Sequence, residues 1–469
     1  MNNFWDYEVW GLVNLLAVLL LSLAVANVLK KSIPLLKKSL IPTSVLGGLL
    51  LLIFSIIYKA IFKVNPFNTN FFGGNGLATL ENLTYHCLAL GFICTTYRNA
   101  KVKFNKQRTK EIFNTGVTTV SMYLLQAILG FGITIIVSQI FTDFFAAAGI
   151  LLPFGYGQGT GQALNYGGIY EAQGFVGGRN FGLSIAALGF LSASLGGVIY
   201  LNVMKRKGRL NADRKSTGEQ ISLEQIQSSD EIPMNGSVDK LTVQIAVILI
   251  TYVASYLVIY VLGELIPSLK LVLYGFNFLV GVLMATLFKN ILAKLNEKKV
   301  VKRVYVNYFL MNRLSGFFFD IMIVAGIAAI QIEVLGSYWW ILAILAVVGL
   351  VSTYLYNLFV AKKLFPDYAD EQFLAMYGML TGTASTGMIL LREVDPELKS
   401  PVSDNLVYQN LPAMVFGFPM MLLATLAPKE PILTIIILVA FFIVMNVILF
   451  RNSIFKRKGG KNEEDAKAE

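Results

Sequence analysis

Leu151-Leu152-Pro153-Phe154-Gly155-Tyr156-Gly157-Gln158-Gly159-Thr160-Gly161-Gln162 is an apolar stretch with glycine at every second position from 155 to 161. Each glycine costs a helix about 1 kcal/mol relative to alanine, so four in alternation oppose a continuous helix. In lipid, unwound backbone is tolerated only where it lines a cavity or is packed inside protein. An opened turn also presents carbonyls to a cation and amides to an anion. The competing explanation is close helix packing through small residues, but that needs glycines on one face at four-residue spacing rather than a run. The stretch 146–166 is therefore read as a re-entrant hairpin.

The surroundings are those of a membrane protein. The chain has 469 residues, 55% of them hydrophobic and 14% charged, against about a quarter charged in a soluble protein. The apolar residues fall in runs of about 18 to 28, long enough to cross a bilayer as helices. The short alternating segments of a strand barrel are absent. Eleven spans are expected: 9–29, 41–62, 83–97, 112–140, 182–203, 241–262, 271–288, 308–330, 339–360, 406–427 and 432–450. The first is read as a retained helix, because residues 1–9 carry no basic leader and no small-residue cleavage site. A second interrupted stretch, 372–391, contains Tyr377-Gly378-Met379-Leu380-Thr381-Gly382-Thr383-Ala384-Ser385-Thr386-Gly387. Its hydroxyls and carbonyls are hard oxygen donors suited to an alkali cation.

Charge fixes the expected orientation. The net charge of +11 does not indicate nucleic acid, because the basic residues cluster in short loops. Lys30, Lys31, Lys37 and Lys38 follow the first span. Arg98, Lys101, Lys103 and Lys106 follow the third, and Lys205, Arg206, Lys207 and Arg209 the fifth. The positive-inside rule then puts the N-terminus outside and the C-terminus in the cytoplasm, provided both glycine-rich stretches enter and leave on one side. The polar linker 205–240 separates two halves with the same order of elements, four spans, a broken segment and a fifth span. An odd number of crossings per half makes the halves inverted repeats, 1–204 and 241–428. The segment 429–469 adds one more span and a tail. Paired interrupted segments in corresponding positions are a pointer to a transporter site.

Other chemistry is thinly supplied. Arg313 and Asp320 share a face of the eighth span, with Asn307 and Asn312 nearby, but two turns hold them about 10 Å apart. An ionisable residue within a span is a functional candidate, although Arg313 can also snorkel to the inner surface. Arg392 faces either a solute carboxylate or lipid headgroups. Cys87, Cys94 and the single histidine, His86, are read as packing or hydrogen-bonding residues. No phosphate-cradling motif, H-E-x-x-H run or nucleophile elbow occurs, which disfavours an ATP-driven pump and an enzyme. Trp5, Trp10, Trp339 and Trp340 read as interfacial anchors.

Two motifs carry a family resemblance. Gly155-Tyr156-Gly157-Gln158-Gly159-Thr160-Gly161 resembles the first glycine-rich motif of the bacterial sodium/glutamate symporters. Ile41-Pro42-Thr43-Ser44-Val45-Leu46-Gly47-Gly48-Leu49-Leu50 resembles their second span. The likeness runs from Val9 to about Ala427. The second motif, richer in Thr and Ser than the family pattern, and the extra C-terminal span depart from it. The resemblance implies an all-α inner-membrane symporter that takes up glutamate with Na+, without another cofactor. It also implies a homodimer, and an elevator or rocking movement of the hairpin-bearing domain. The solute is expected at Gly157, Gln158, Gly159, Thr160, Gly161, Thr381, Gly382, Thr383, Ser385 and Thr386, with Arg313 or Arg392 adding positive charge. Gly155, Gly378, Thr381, Ser385, Asp320 and Asn312 are the sodium candidates. A hydroxycarboxylate carrier, a passive channel and a membrane enzyme stay open as alternatives.

Overall fold

The computed structural model describes residues 3–97, 105–209, 239–267, 270–299, 306–395 and 399–454. The basic run 98–103, most of the linker and the tail 455–469 lie outside the described residues. The described residues form helices and no strands. In chain order the principal helices are α1 Tyr7–Ser32, α2 Thr43–Phe62, α3 Gly76–Tyr97, α4 Lys106–Ile140, α5 Leu151–Glu171, α6 Gly178–Arg206, α7 Lys240–Leu265 and α8 Asn277–Glu297. They continue with α9 Tyr308–Ala328, α10 Trp339–Leu364, α11 Ala369–Thr381, α12 Ala384–Arg392, α13 Val402–Tyr408, α14 Asn410–Leu426 and α15 Pro431–Leu449.

Ten of the described helices are long and apolar enough to cross a membrane, and α13 with α14 makes an eleventh if the bent pair is one span. Their outward faces are apolar, as Leu20, Leu21 and Val28 on α1 and Ile250, Val253 and Leu257 on α7 show. Polar residues such as Thr84, Gln126, Thr134 and Thr353 are buried instead. This inversion of the soluble pattern is what a lipid environment selects.

Three expected spans differ in detail. The third begins at Gly76 rather than 83. The seventh begins at Asn277, because the chain breaks at Phe276 after a short helix, Lys270–Gly275. There the Gly275 carbonyl accepts a hydrogen bond from Asn165 Nδ2 of α5 instead of a helical N–H. The tenth, expected as one helix over 406–427, is bent by 48° between α13 and α14. Pro412 lacks the N–H that would continue the ladder across the junction. Gln409 at the bend is buried and accepts from Thr119 Oγ1 on α4.

Both glycine-rich stretches double back. In the first, Phe154 stacks on Tyr166 with ring centroids 3.7 Å apart, and Phe145, before the segment, packs on Tyr170 near its end. The limbs before and after Gly159 therefore run antiparallel, and the return limb reaches Glu171, beyond the expected 166. In the second, α11 and α12 fold together so closely that a Cβ on Gly378 would lie 2.8 Å from Gly387 Cα. This hairpin extends over Ala369–Thr381 and Ala384–Arg392, slightly wider than 372–391. The first hairpin opens at the end of the molecule where Phe144, Phe175, Phe181 and Tyr338 cluster. The second opens at the opposite end, where Asp370 accepts from Tyr200 and pairs with Arg209.

The helices pack in two groups. In one, α1 packs on α2, α2 and α3 on α9, and α3 and α7 on α8. In the other, α4, α6 and α10 surround the two hairpins, with α13, α14 and α15 on the flank of α4. The main contact between the groups is α5, which touches α3 and α9.

Glycine at 378 is required by the close approach of the second hairpin's limbs. Gly378→Val is expected to destabilise the protein by about 1–3 kcal/mol through overpacking, read as a lower unfolding temperature of the detergent-purified protein. An unchanged midpoint would show that the limbs are not in contact.

Candidate functional site

The two hairpin tips meet. Gly159 has φ 78 and ψ −169, a conformation essentially restricted to glycine. A Cβ built there would lie 3.3 Å from Thr383 Cγ2 and 3.8 Å from the Gly382 carbonyl. Gly382 and Thr383 are the two residues that separate α11 from α12. Phe190 of α6 supports both tips, 3.9 Å from the Cβ position of Gly159 and 3.0 Å from that of Gly382. Gly189 beside it lets the Thr381 carbonyl approach, 2.7 Å from where its own Cβ would be.

Each break exposes backbone polar groups that a continuous helix would pair. The last carbonyls before Gly159 and before Gly382 lack helical donors, and the first amides from Thr160 and from Ala384 lack helical acceptors. Two negative helix ends and two positive ones thus converge on one spot inside an apolar body. Some of these groups are met by side chains from neighbouring helices. Tyr123 of α4 donates to the Gly157 carbonyl at 2.9 Å. Gln126 of α4 donates to the Leu380 carbonyl at 3.0 Å. Beside the first break, the side-chain Nε2 atoms of Gln158 and Gln162 are also buried without a hydrogen-bond partner. Such a set can hold a small anion on amides and hydroxyls and a cation on carbonyls.

The candidates from the sequence separate into two sets. Gly159 meets Gly382 and Thr383 directly, and Gly155, Gly157, Gln158, Thr160 and Gly161 on the first hairpin and Gly378, Thr381, Ser385 and Thr386 on the second lie within about one helical turn of that contact along the chain. Thr160 is fully buried and its hydroxyl donates to the Met322 carbonyl of α9 at 3.3 Å. Thr381 Oγ1 donates to the Tyr377 carbonyl at 2.6 Å, and Thr383 and Thr386 hydroxyls are 3.4 Å apart. Ser385 is exposed. The second set lies away from the tips. Arg313 is exposed, its guanidinium 5.2 Å from the Phe309 ring centroid. It lies nine residues, about 13 Å of helix, before Met322. Arg392 is exposed at the far end of α12, a similar distance from Thr383. Asn312 is exposed on the same helix as Arg313. Asp320 is nearly level with the tips along α9 but is exposed, on the side of Ser44 at the start of α2.

Sequence reasoning missed Tyr123 and Gln126. Their signal was available, since a glutamine in the middle of an apolar span is costly unless it has a buried partner. His86 Nδ1 lies 2.7 Å from the Tyr252 hydroxyl, a hydrogen bond between α3 and α7. Among the described residues no three His, Cys, Asp or Glu side chains cluster as metal ligands.

The family model described as sodium/glutamate symporter matches residues 10–389, about four-fifths of the chain. The chain belongs to the sodium/glutamate symporter family. Its family makes it a sodium-coupled membrane transporter, in agreement with the motif reading. The match ends within α12, so α13, α14 and α15 lie beyond it, short of the Ala427 limit drawn from the motifs. Among curated proteins no sequence match was found.

The backbone at Gly159 tests the importance of the tips. An alanine there takes on about 1–3 kcal/mol of strain and presses on Thr383. Gly159→Ala is expected to lower sodium-driven uptake about tenfold or more at equal membrane abundance. Gly174→Ala, also at positive φ but with nothing within 4 Å, serves as the control and should stay within about twofold. Equal uptake by both variants would remove the tip from the transport cycle.

Proposed function

We propose that this symporter imports glutamate across the inner membrane by alternating access, with solute and sodium held between the two hairpin tips. The observation that carries the reading is the contact of Gly159 with Gly382 and Thr383, which brings four half-helix ends to one place. The positive ends at Thr160 and Ala384 suit the solute carboxylates. The Gln158 and Gln162 amides, buried donors without partners, and the hydroxyls of Thr383, Ser385 and Thr386 complete the anion's surroundings. Fixed charge from Arg313 or Arg392 is not needed in direct contact. The carbonyls ahead of each break, from Gly155 and from Gly378 onward, suit the cation.

The packing supports an inverted-repeat plan with halves at 1–204 and 241–428. Contacts occur in matched sets: α1 on α2 as α7 on α8, α2 on α9 as α8 on α3, and α6 on α10 as α14 on α4. The basic residues then put the N-terminus outside and the C-terminus in the cytoplasm. Under this orientation the first hairpin enters from outside and the second from the cytoplasm. The return limb of the first is covered by α3 and α9, while Ala384 and Ser385 of the second are exposed. This is a cytoplasm-facing state. The elevator movement carries the group around α4, α6 and α10 past the group around α3 and α9, with α5 in the seam. We further propose a homodimer, as the family resemblance implies.

Purified protein in proteoliposomes is expected to accumulate labelled glutamate only with an inward sodium gradient. Unlabelled hydroxycarboxylates in excess should compete weakly. Accumulation without sodium, or full competition by a hydroxycarboxylate, overturns the assignment of ion or solute. A Ser385→Cys variant should react with a membrane-impermeant maleimide from the cytoplasmic side and be protected by glutamate with sodium. Labelling only from outside would reverse the orientation.

A further inference from the structure

Gln126 of α4 and Thr353 of α10 are both fully buried. Gln126 Nε2 donates to Thr353 Oγ1 at 2.8 Å and to the Leu380 carbonyl at 3.0 Å. Leu380 belongs to the last turn of α11, where the break at Gly382 removes its helical donor. One amide NH2 group is therefore wedged between two oxygens that reach it from different helices. The amide's own oxygen, Gln126 Oε1, is buried and has no hydrogen-bond partner. Asn357, one turn further along α10, repeats the arrangement. Its Nδ2 donates to the Thr353 carbonyl at 3.0 Å, and its Oδ1 is buried and unpartnered.

A buried carboxamide oxygen that no protein group donates to costs about 1–3 kcal/mol, and two of them flank Thr353. The surroundings hold more acceptors than donors, which is the chemistry of a cation site. Turning the Gln126 amide over exchanges Nε2 for Oε1. Oε1, Thr353 Oγ1 and the Leu380 carbonyl would then face a common point. Three oxygens so placed repel one another unless a hard cation stands between them. All are uncharged, which suits an alkali ion better than a divalent one, whose sites are built on carboxylates.

We propose that Gln126 Oε1, Thr353 Oγ1 and the Leu380 carbonyl bind the coupling sodium, and that the Gln126 amide donor occupies its place when the ion is absent. The proposal rests on the sodium-coupled reading above and names the ion's site within it. It also gives the coupling a route. Leu380 is followed by Thr381 and the tip residues Gly382 and Thr383. An ion held at the Leu380 carbonyl fixes the end of α11, and with it the start of α12 on which a solute carboxylate would rest.

The test is the sodium dependence of thermal unfolding of the purified full chain, in sodium chloride against choline chloride at constant ionic strength. A ligand that binds only the folded state raises its stability with concentration, so wild-type protein should show a saturable sodium effect. Gln126→Leu should lose it. Gln126→Glu removes the donated hydrogen bonds but keeps the oxygens, so it should retain the sodium effect with a half-saturating concentration about tenfold lower. If Gln126 were only a clamp between helices, Glu and Leu would destabilise alike and leave the sodium response unchanged. Thr353→Val should raise the half-saturating concentration about tenfold, and Thr353→Ser should stay within about threefold. That pair carries the test if Gln126→Leu does not fold. A wild-type sodium response in Gln126→Leu or in Thr353→Val overturns the site and leaves sodium coupling standing. Wild-type protein with neither a sodium response nor sodium-driven uptake overturns both.

Discussion

Backbone hydrogen bonding inside an apolar body is the constraint on which the structure depends. A helix that stops in such a place leaves up to four carbonyls or four amides without partners, and lipid offers none. This chain stops two helices there, at Gly159 and at Gly382, and brings the stops together. The first stop is enclosed by protein, while the second is enclosed on the side of α4 and α6 and exposed at Ala384 and Ser385. Phe190 lies beneath both, Tyr123 covers the Gly157 carbonyl, and Gln126 reaches the Leu380 carbonyl. The side-chain amide nitrogens of Gln158 and Gln162 remain buried without partners beside the first stop.

Glycine serves this constraint in two physically different ways. At Gly159 it permits a backbone conformation that a side chain would strain. At Gly189, Gly378 and Gly387 it permits close approach, because a Cβ would collide with backbone of the neighbouring limb or helix. The hairpins are thin enough to fit among α4, α6 and α10 only because these positions carry no side chain. The same residues that unwind the helices therefore also let the unwound parts pack.

The two helix groups differ in what they contribute. The group around α3 and α9 is joined by apolar contacts and a few hydroxyl bonds, such as Thr95 to Ser315 at 2.8 Å. The group around α4 and α10 holds most of the buried amides and hydroxyls, including Thr119, Gln126, Thr353, Asn357 and Gln409. Polar side chains in an apolar interior make few alternative pairings, so they bind this second group into a unit. A unit of that kind can shift against its neighbour without losing its own internal order, provided the seam along α5 slides.

The membrane class, the ten clear spans and the location of both breaks are legible in the amino-acid sequence alone. Those properties follow from local quantities, namely the length of apolar runs, the charge of short loops and the glycine content of a dozen residues. The Gly159 break and the bend at Gln409 show the limit of such reading. The first was legible in a run of glycines, while the second, caused by Pro412 within an apolar run, was not read. Which distant residues meet at the hairpin tips depends instead on how the helices pack. That packing joined Gly159 to Thr383, brought Gln126 and Thr353 to Leu380, and left Arg313 and Arg392 away from the tips. Local composition carries no record of which helices become neighbours, because that is fixed by complementary packing of surfaces far apart in the chain.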